Sequence, residues 1–208
     1  MQAPLSFLIR IFPLFFFLNT GCVSTTISGG LEDNVGTGPN STFCLCRMDD
    51  EKVGLQISAR LENCTELKAV GDDFRWYLKL KCNQCGDQTY EFVYVDLLES
   101  QPLKGGRGSA SLVIKCKFCS NENSLNLLKE SLDSYTYDDC PKYKTIVVFE
   151  CRGVQPIFFD PRVGWEVKGL ESGTKFSDVD LSQDWADYDE KAKDTVGVYE
   201  LKYQFIRM

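Results

Sequence analysis

Histidine is absent from all 208 residues. That removes the commonest general base near neutral pH, the commonest ligand of catalytic zinc, and the base of Ser-His and Cys-His nucleophile pairs. Carboxylate and lysine chemistry stay open, but any bound zinc has to sit on sulfur and oxygen. Positive charge is also short: 23 Lys and Arg against 30 Asp and Glu leave a formal charge of −7. Non-specific nucleic-acid binding draws its affinity from neutralised phosphates and released counterions, so the overall charge argues against it and no nucleic-acid partner is expected. Only a local basic patch is compatible with that balance. Heptads, a Rossmann glycine pattern and long amphipathic helical stretches are missing as well.

What is present starts with ten cysteines in a chain of globular composition, 43% hydrophobic and 25% charged. Four of the ten form two pairs, Cys82-Asn83-Gln84-Cys85 and Cys116-Lys117-Phe118-Cys119, thirty residues apart. Two residues between cysteines let both sulfurs of a tight turn converge on one ion, and a second such turn completes the tetrahedron zinc prefers. The predicted metal ligands are therefore Cys82, Cys85, Cys116 and Cys119, holding one Zn²⁺ per chain. Cys64, Cys140 and Cys151 are scattered, and Cys22, Cys44 and Cys46 precede the patterned part of the chain.

Residues 1–47 differ from the rest. Pro4 to Leu18 is apolar but interrupted by Arg10 and Pro13, and Thr20-Gly21-Cys22 follows with small residues, the grammar of a secretory leader. The run is too short and broken for a membrane helix. Ser24 to Thr42 is a polar linker without apolar periodicity, expected to be disordered. Met48 stands where patterned sequence begins and is an alternative initiator that would discard the whole extension. The expected organisation is thus 1–47 leader and linker, absent if Met48 is the start, and 48–208 a zinc-binding β domain. The sequons at Asn40 and Asn63 matter only if the chain is secreted and are read as chance.

From Lys52 the pattern is mostly period two with turn signals, the mark of antiparallel β structure. Strands are expected over Val53 to Leu61, Cys64 to Val70, Phe74 to Lys81, Tyr90 to Leu97, Ser111 to Lys115, Leu125 to Leu128, Tyr143 to Cys151 and Val196 to Arg207. Phe74, Trp76, Leu78 and Leu80 share one face, and Arg75, Tyr77, Lys79 and Lys81 the other. Strand, Lys-Cys-x-x-Cys, turn, strand occurs twice, a weak internal repeat in which Gly86 follows the first pair and Ser120 the second. A serine there allows the two turns to differ. The acidic, aromatic region before Val196 reads as irregular, with a short helical turn near Asp184 to Lys193.

Several stretches together resemble the eukaryotic CXXC-motif-containing zinc-binding protein family. They are Phe74-Arg75-Trp76-Tyr77-Leu78-Lys79, Lys104-Gly105-Gly106-Arg107-Gly108-Ser109-Ala110-Ser111, Phe149-Glu150-Cys151-Arg152-Gly153 and the segment Asp184 to Ala192. The resemblance covers about residues 48–208. It implies an all-β fold of two antiparallel, sandwich-like β-layers with little helix, joined by a tetra-cysteine zinc site. It also implies no established catalytic activity, a start about where Met48 stands, and an intracellular setting, which agrees with a site of four thiolates needing reduced sulfur.

Four thiolates close the coordination of zinc, so the expected role is a non-catalytic, structural zinc in a protein-interaction module, not an enzyme. The alternative is a thiol redox or metal-transfer protein using the same pairs, although thioredoxin-type chemistry wants a helix behind the first cysteine and strands flank both pairs here. Reduced sulfur points to the cytoplasm or nucleus; a genuine leader would direct secretion instead, with a disulfide framework. Asp184, Asp187, Asp189 and Glu190, with Trp185 and Tyr188 as anchors, form a candidate surface for a protein partner within 178–194. No membrane partner is expected unless the leader is retained, and a monomer is favoured. Lys104 to Ser111 lacks phosphate-loop spacing and reads as a tight connection. Lys81 and Lys115 are candidates to offset the charge of the site.

Overall fold

The structure is a computed structural model and describes residues 50–104, 106 and 108–208. The leader and linker expected at 1–47, the alternative start at Met48, and Gly105 and Arg107 of the glycine loop lie outside the described residues.

Strands make nearly all of the regular structure described; the helical pieces are two 3-10 turns, Lys129–Ser131 and Tyr137–Asp139. The largest sheet has six strands in the order β13 (Trp185–Asp189), β14 (Asp194–Arg207), β1 (Glu51–Glu62), β9 (Lys144–Arg152), β8 (Glu122–Leu127) and β7 (Leu112–Lys115). A three-stranded sheet sets β3 (Trp76–Cys82) between β10 (Val154–Asp160) and β4 (Val93–Val95). Another sets β11 (Trp165–Gly169) between β12 (Lys175–Val179) and β2 (Cys64–Ala69), and β5 (Gln101–Pro102) pairs with β6 (Ser109–Ala110). Every pairing is antiparallel.

The apolar pattern explains the layering. β1 lies inside the large sheet, and Val53, Leu55, Ile57, Ala59 and Leu61 are all buried. β3 alternates as expected: Trp76, Leu78 and Leu80 point inward and Tyr77, Lys79 and Lys81 outward. Three sheets meet at an aromatic junction. Trp76 from β3, Phe149 from β9 and Trp165 from β11 pack edge to face, with ring centroids 6.3 Å apart for Trp76 and Phe149 and 5.8 Å for Trp76 and Trp165. Phe74 closes the group at 4.9 Å from Trp76 and 5.1 Å from Trp165. Burying rings of this size removes enough apolar surface to contribute about 4–6 kcal/mol each before ordering costs.

Two local expectations need correction. The region before Val196 is not irregular: it carries β10, β11, β12 and β13. The helical turn expected near Asp184 to Lys193 is instead a hairpin, with β13 paired to β14 from Trp185 opposite Val198 to Asp189 opposite Asp194. Only its tip turns, closed by the Lys193 N–H donating to the Asp189 carbonyl at 2.7 Å. The Asp189 side chain accepts from the Lys191 and Ala192 amides at 3.0 and 3.3 Å, an Asx-type cap that tightens the turn.

Candidate metal centre

The two cysteine pairs belong to different sheets. β3 of a three-stranded sheet ends in Cys82, whereas β7, the edge of the six-stranded sheet, ends one residue before Cys116. At the first pair the Cys82 N–H donates to the Asp87 carbonyl at 2.8 Å and the Gly86 N–H to the Cys82 carbonyl at 2.9 Å. At the second, the Cys116 N–H donates to the Asn121 carbonyl at 2.8 Å and the Ser120 N–H to the Cys116 carbonyl at 3.0 Å. The bonding is equivalent position by position. Gly86 has φ 79° and Ser120 φ 61°, so both turns pass through the left-handed region. The serine therefore does not make the second turn different; it adopts a conformation that costs a residue with a Cβ about 1–2 kcal/mol.

The turns bring four sulfurs within 4.8 Å of one another, from Cys82, Cys85, Cys116 and Cys119. Cys82 Sγ lies 3.7 Å from Cys119 Sγ and Cys85 Sγ 3.5 Å from Cys116 Sγ. Sulfurs at zinc's usual bond length, about 2.3 Å, stand about 3.8 Å apart at the corners of a tetrahedron. The donor set thus fits one zinc ion in size and in chemistry. All seven described cysteines are free. Cys82 is buried and the other three ligand candidates are half-buried.

Electrostatics set three of these groups apart, Cys82, Cys85 and Cys119. Burial opposes ionisation of Cys82, but hydrogen bonds from the Cys85 and Gln84 amides and from neighbouring thiols outweigh it and lower its pKa to about 6. The Asp87 amide favours ionised Cys85, yet burial and the thiols of Cys116, Cys119 and Cys82 win and push it up to about 12. Cys119 is likewise held up, against the Asn121 amide, by burial and by Cys116 and Cys82. One thiolate forms readily and its neighbours resist, because like charges this close disfavour one another. A dication removes that conflict.

Sequence reading misses one supporting residue. Asn123 is 2% exposed, and its Nδ2 approaches Cys82 Sγ at 3.7 Å while its Oδ1 accepts from Asn121 at 3.1 Å. A buried side-chain amide N–H aimed at a sulfur orients and stabilises a thiolate. A cavity of about 150 Å³ lies beside the cluster, with apolar walls from Leu80, Val93, Ile114 and Val154.

The remaining candidates fall elsewhere. Lys81 and Lys115 are exposed strand residues. Cys64 and Cys151 are buried away from the cluster, and burial pushes their pKa values to about 11 and about 12. The glycine loop is the turn of the β5–β6 ribbon, with the Leu103 N–H donating to the Gly108 carbonyl at 3.2 Å. Of the acidic surface, Asp184, Asp187, Glu190 and Tyr188 are exposed, and Trp185 is half-buried against Phe176 at 5.5 Å between centroids. Asp189 leaves that set: it is 1% exposed and bonded to Ser172, Thr174 and the turn amides.

Comparison with known proteins agrees with this geometry. The family model for the CXXC motif containing zinc binding protein, eukaryotic, matches residues 54–206. The chain belongs to this family. A CXXC motif containing zinc binding protein from Bos taurus is 54% identical over 157 residues, 75% of this chain and 98% of the relative. The Homo sapiens protein of the same name is 52% identical over the same shares. A crystal structure of C1orf123 aligns at a TM-score of 0.73 and 51% identity, covering 76% of this chain and 99% of that one. A hypothetical protein from Plasmodium falciparum aligns at a TM-score of 0.68 and 25% identity, covering 74% of this chain. This zinc-binding family membership and the single four-cysteine cluster among the described residues account for one zinc per chain. Among the described residues, no helix is long and apolar enough to cross a membrane.

Proposed function

We propose that Cys82, Cys85, Cys116 and Cys119 hold one structural zinc that clasps the sheet of β3 to the sheet of β7, in a non-catalytic protein-interaction module. The observation that carries this reading is the convergence of two equivalent turns, from two different sheets, on a sulfur cluster of tetrahedral size. Zinc there would supply charge neutralisation and a cross-link. With four sulfurs bound it keeps no open position for water or a carbonyl, so it generates no nucleophile and polarises no substrate. The chain's own part is to aim the sulfurs: backbone amides and Asn123 point at them, and Gly86 and Ser120 bend the chain back.

The interaction surface is the exposed edge of the β13–β14 hairpin, where Tyr188 stands among Asp184, Asp187 and Glu190. Free thiols favour a reducing compartment, the cytoplasm or nucleus. A metal-transfer role draws on the same cysteines and is favoured by the half-exposure of three of them. Metal analysis of the purified protein, with chelator-driven release followed over time, tests both. One zinc released only on unfolding fits the clasp; release within seconds from the folded protein fits transfer. For the partner surface, Tyr188→Ala with Asp187→Lys is expected to abolish capture of bound proteins without lowering the melting temperature. Unchanged capture rejects that surface.

A further inference from the structure

We propose that the outer face of the β10–β3–β4 sheet binds single-stranded nucleic acid, with bases stacked on its rings and phosphates held by its cations. The inward side chains of β3 build the core and end at Cys82; of the outward ones Tyr77 and Lys79 are half-buried and Lys81 is exposed, as is Arg75 just before the strand. Across the sheet, Tyr77 stands opposite Tyr94 on one side and Asp160 on the other, and Lys79 stands opposite Phe158. Phe158 is 49% exposed. Cations and rings are interleaved throughout: Arg162 lies 3.9 Å from the Tyr77 ring centre and 5.5 Å from Phe92, Arg75 4.7 Å from Tyr94, and Lys79 5.0 Å from Phe92. Guanidinium planes and aromatic rings are both surfaces on which unpaired bases stack, and antiparallel sheet faces are a recurring support for them.

One end of the face carries a shallow, open depression. It measures about 420 Å³ and opens beside Lys79, Phe158, Gln88, Thr89 and Tyr90, large enough for a nucleobase with its sugar, and Tyr90 is 77% exposed at its edge. Gln88 and Thr89 supply donors and acceptors for base edges. Acids near the face are partly occupied: Asp160 pairs with Arg162 at 2.7 Å, and Glu99 accepts from the Tyr94 hydroxyl at 2.8 Å. Asp87 stays in the wall of the depression and opposes phosphate there, which favours a base in that position. The acidity of the whole chain is not an obstacle, because it is unevenly placed. Residues 178–194 carry seven acids and two lysines, most of the net charge of −7, and their strand β13 edges the other sheet. An acidic peptide would use the cations and leave the rings idle; a single strand uses both.

The test is fluorescence anisotropy of a labelled RNA of about 12 nucleotides, oligouridylate or oligoadenylate, titrated with the zinc-loaded full chain. Binding is expected at about 50 mM salt, with a slope of log K on log salt of about −2, as for about three neutralised phosphates on a single strand. Arg75→Glu with Lys79→Glu is expected to weaken binding about tenfold or more, and Phe158→Ala about fivefold or more through lost stacking. Zinc content and melting temperature should stay at wild-type values, which separates this result from the fate of the clasp. Lys79→Gln replaces the charge reversal if that variant melts early. No binding at low salt overturns the proposal. So does affinity indifferent to these substitutions, or equal displacement of the RNA by polyglutamate or by phosphatidylserine vesicles, which have charge but no bases.

Discussion

Two regions join the sheets of this protein by opposite means. At the aromatic junction, Trp76, Phe149 and Trp165 come from three sheets and are 2%, 0% and 1% exposed. Nothing has to be added to that contact, since burial supplies the attraction and edge-to-face geometry the specificity. At the cysteine clasp, two of the same sheets approach through half-buried turns whose most numerous functional groups are thiols that resist ionising together. Left alone, that end has a charge conflict to avoid. On the proposed reading, the core holds the sheets, whereas the clasp would fix their tips only with a cation bound.

The strongest way to break the comparison is to remove the metal ligands. Cys82→Ser with Cys116→Ser is expected to take zinc from one per chain to none, measured by elemental analysis. Structural zinc sites carry linked free energy on the order of 10 kcal/mol, so the melting temperature should fall steeply. Hydrogen exchange should rise most at residues 82–89 and 114–121, while the amides of β1 and β9 stay protected. Loss of protection everywhere at once would mean the core does not stand without the clasp. Next in size, Trp165→Ala is expected to cost about 3–5 kcal/mol in denaturant unfolding, with zinc stoichiometry unchanged in the folded fraction. Zinc lost at denaturant concentrations where the chain is still folded would show that the two regions are not separable.

Finer substitutions sharpen the clasp itself. Gly86→Ala is expected to cost about 1–2 kcal/mol, because an added Cβ finds room but not a comfortable backbone at φ 79°. Ser120→Gly should be neutral to stabilising, since it relieves the same conformation in the partner turn. Opposite results would mean that the two turns are not equivalent in solution. Smallest of all is an acid effect at the β13–β14 turn. The Ser172 hydroxyl bond lowers the pKa of Asp189 more than burial raises it, helped by the Ala192 and Lys191 amides. A carboxyl with a depressed folded pKa stabilises fully above its unfolded value, near 3.9, and loses that contribution as pH falls through the folded value. Asp189→Asn should therefore lower the melting temperature at pH 7 and flatten its dependence on pH below about 4. An unchanged acid profile would remove Asp189 from this role.

Where local pattern and long-range partner agree, the fold was readable. Trp76, Leu78 and Leu80 alternate with polar residues and lie on one buried face, and the cysteine spacing anticipated the cluster. β10 to β12 were not readable because their burial comes from distant strands: β11 pairs with β2 about a hundred residues earlier, and β10 bulges between Pro156 and Phe158, which breaks the alternation so that Phe159 is buried and Phe158 exposed. Asp189 and Asn123 were hidden for a related reason. Each is a polar residue at or near the end of a strand beside a turn, and only the fold shows that it is buried and whose atoms it serves.

The most direct test of the clasp is the zinc-edge X-ray absorption spectrum of the purified full chain. Four sulfur scatterers at about 2.3 Å and no nitrogen or oxygen neighbour are expected. Three sulfurs with a light atom in the fourth position would contradict a closed structural site and reopen the chemistry of the metal.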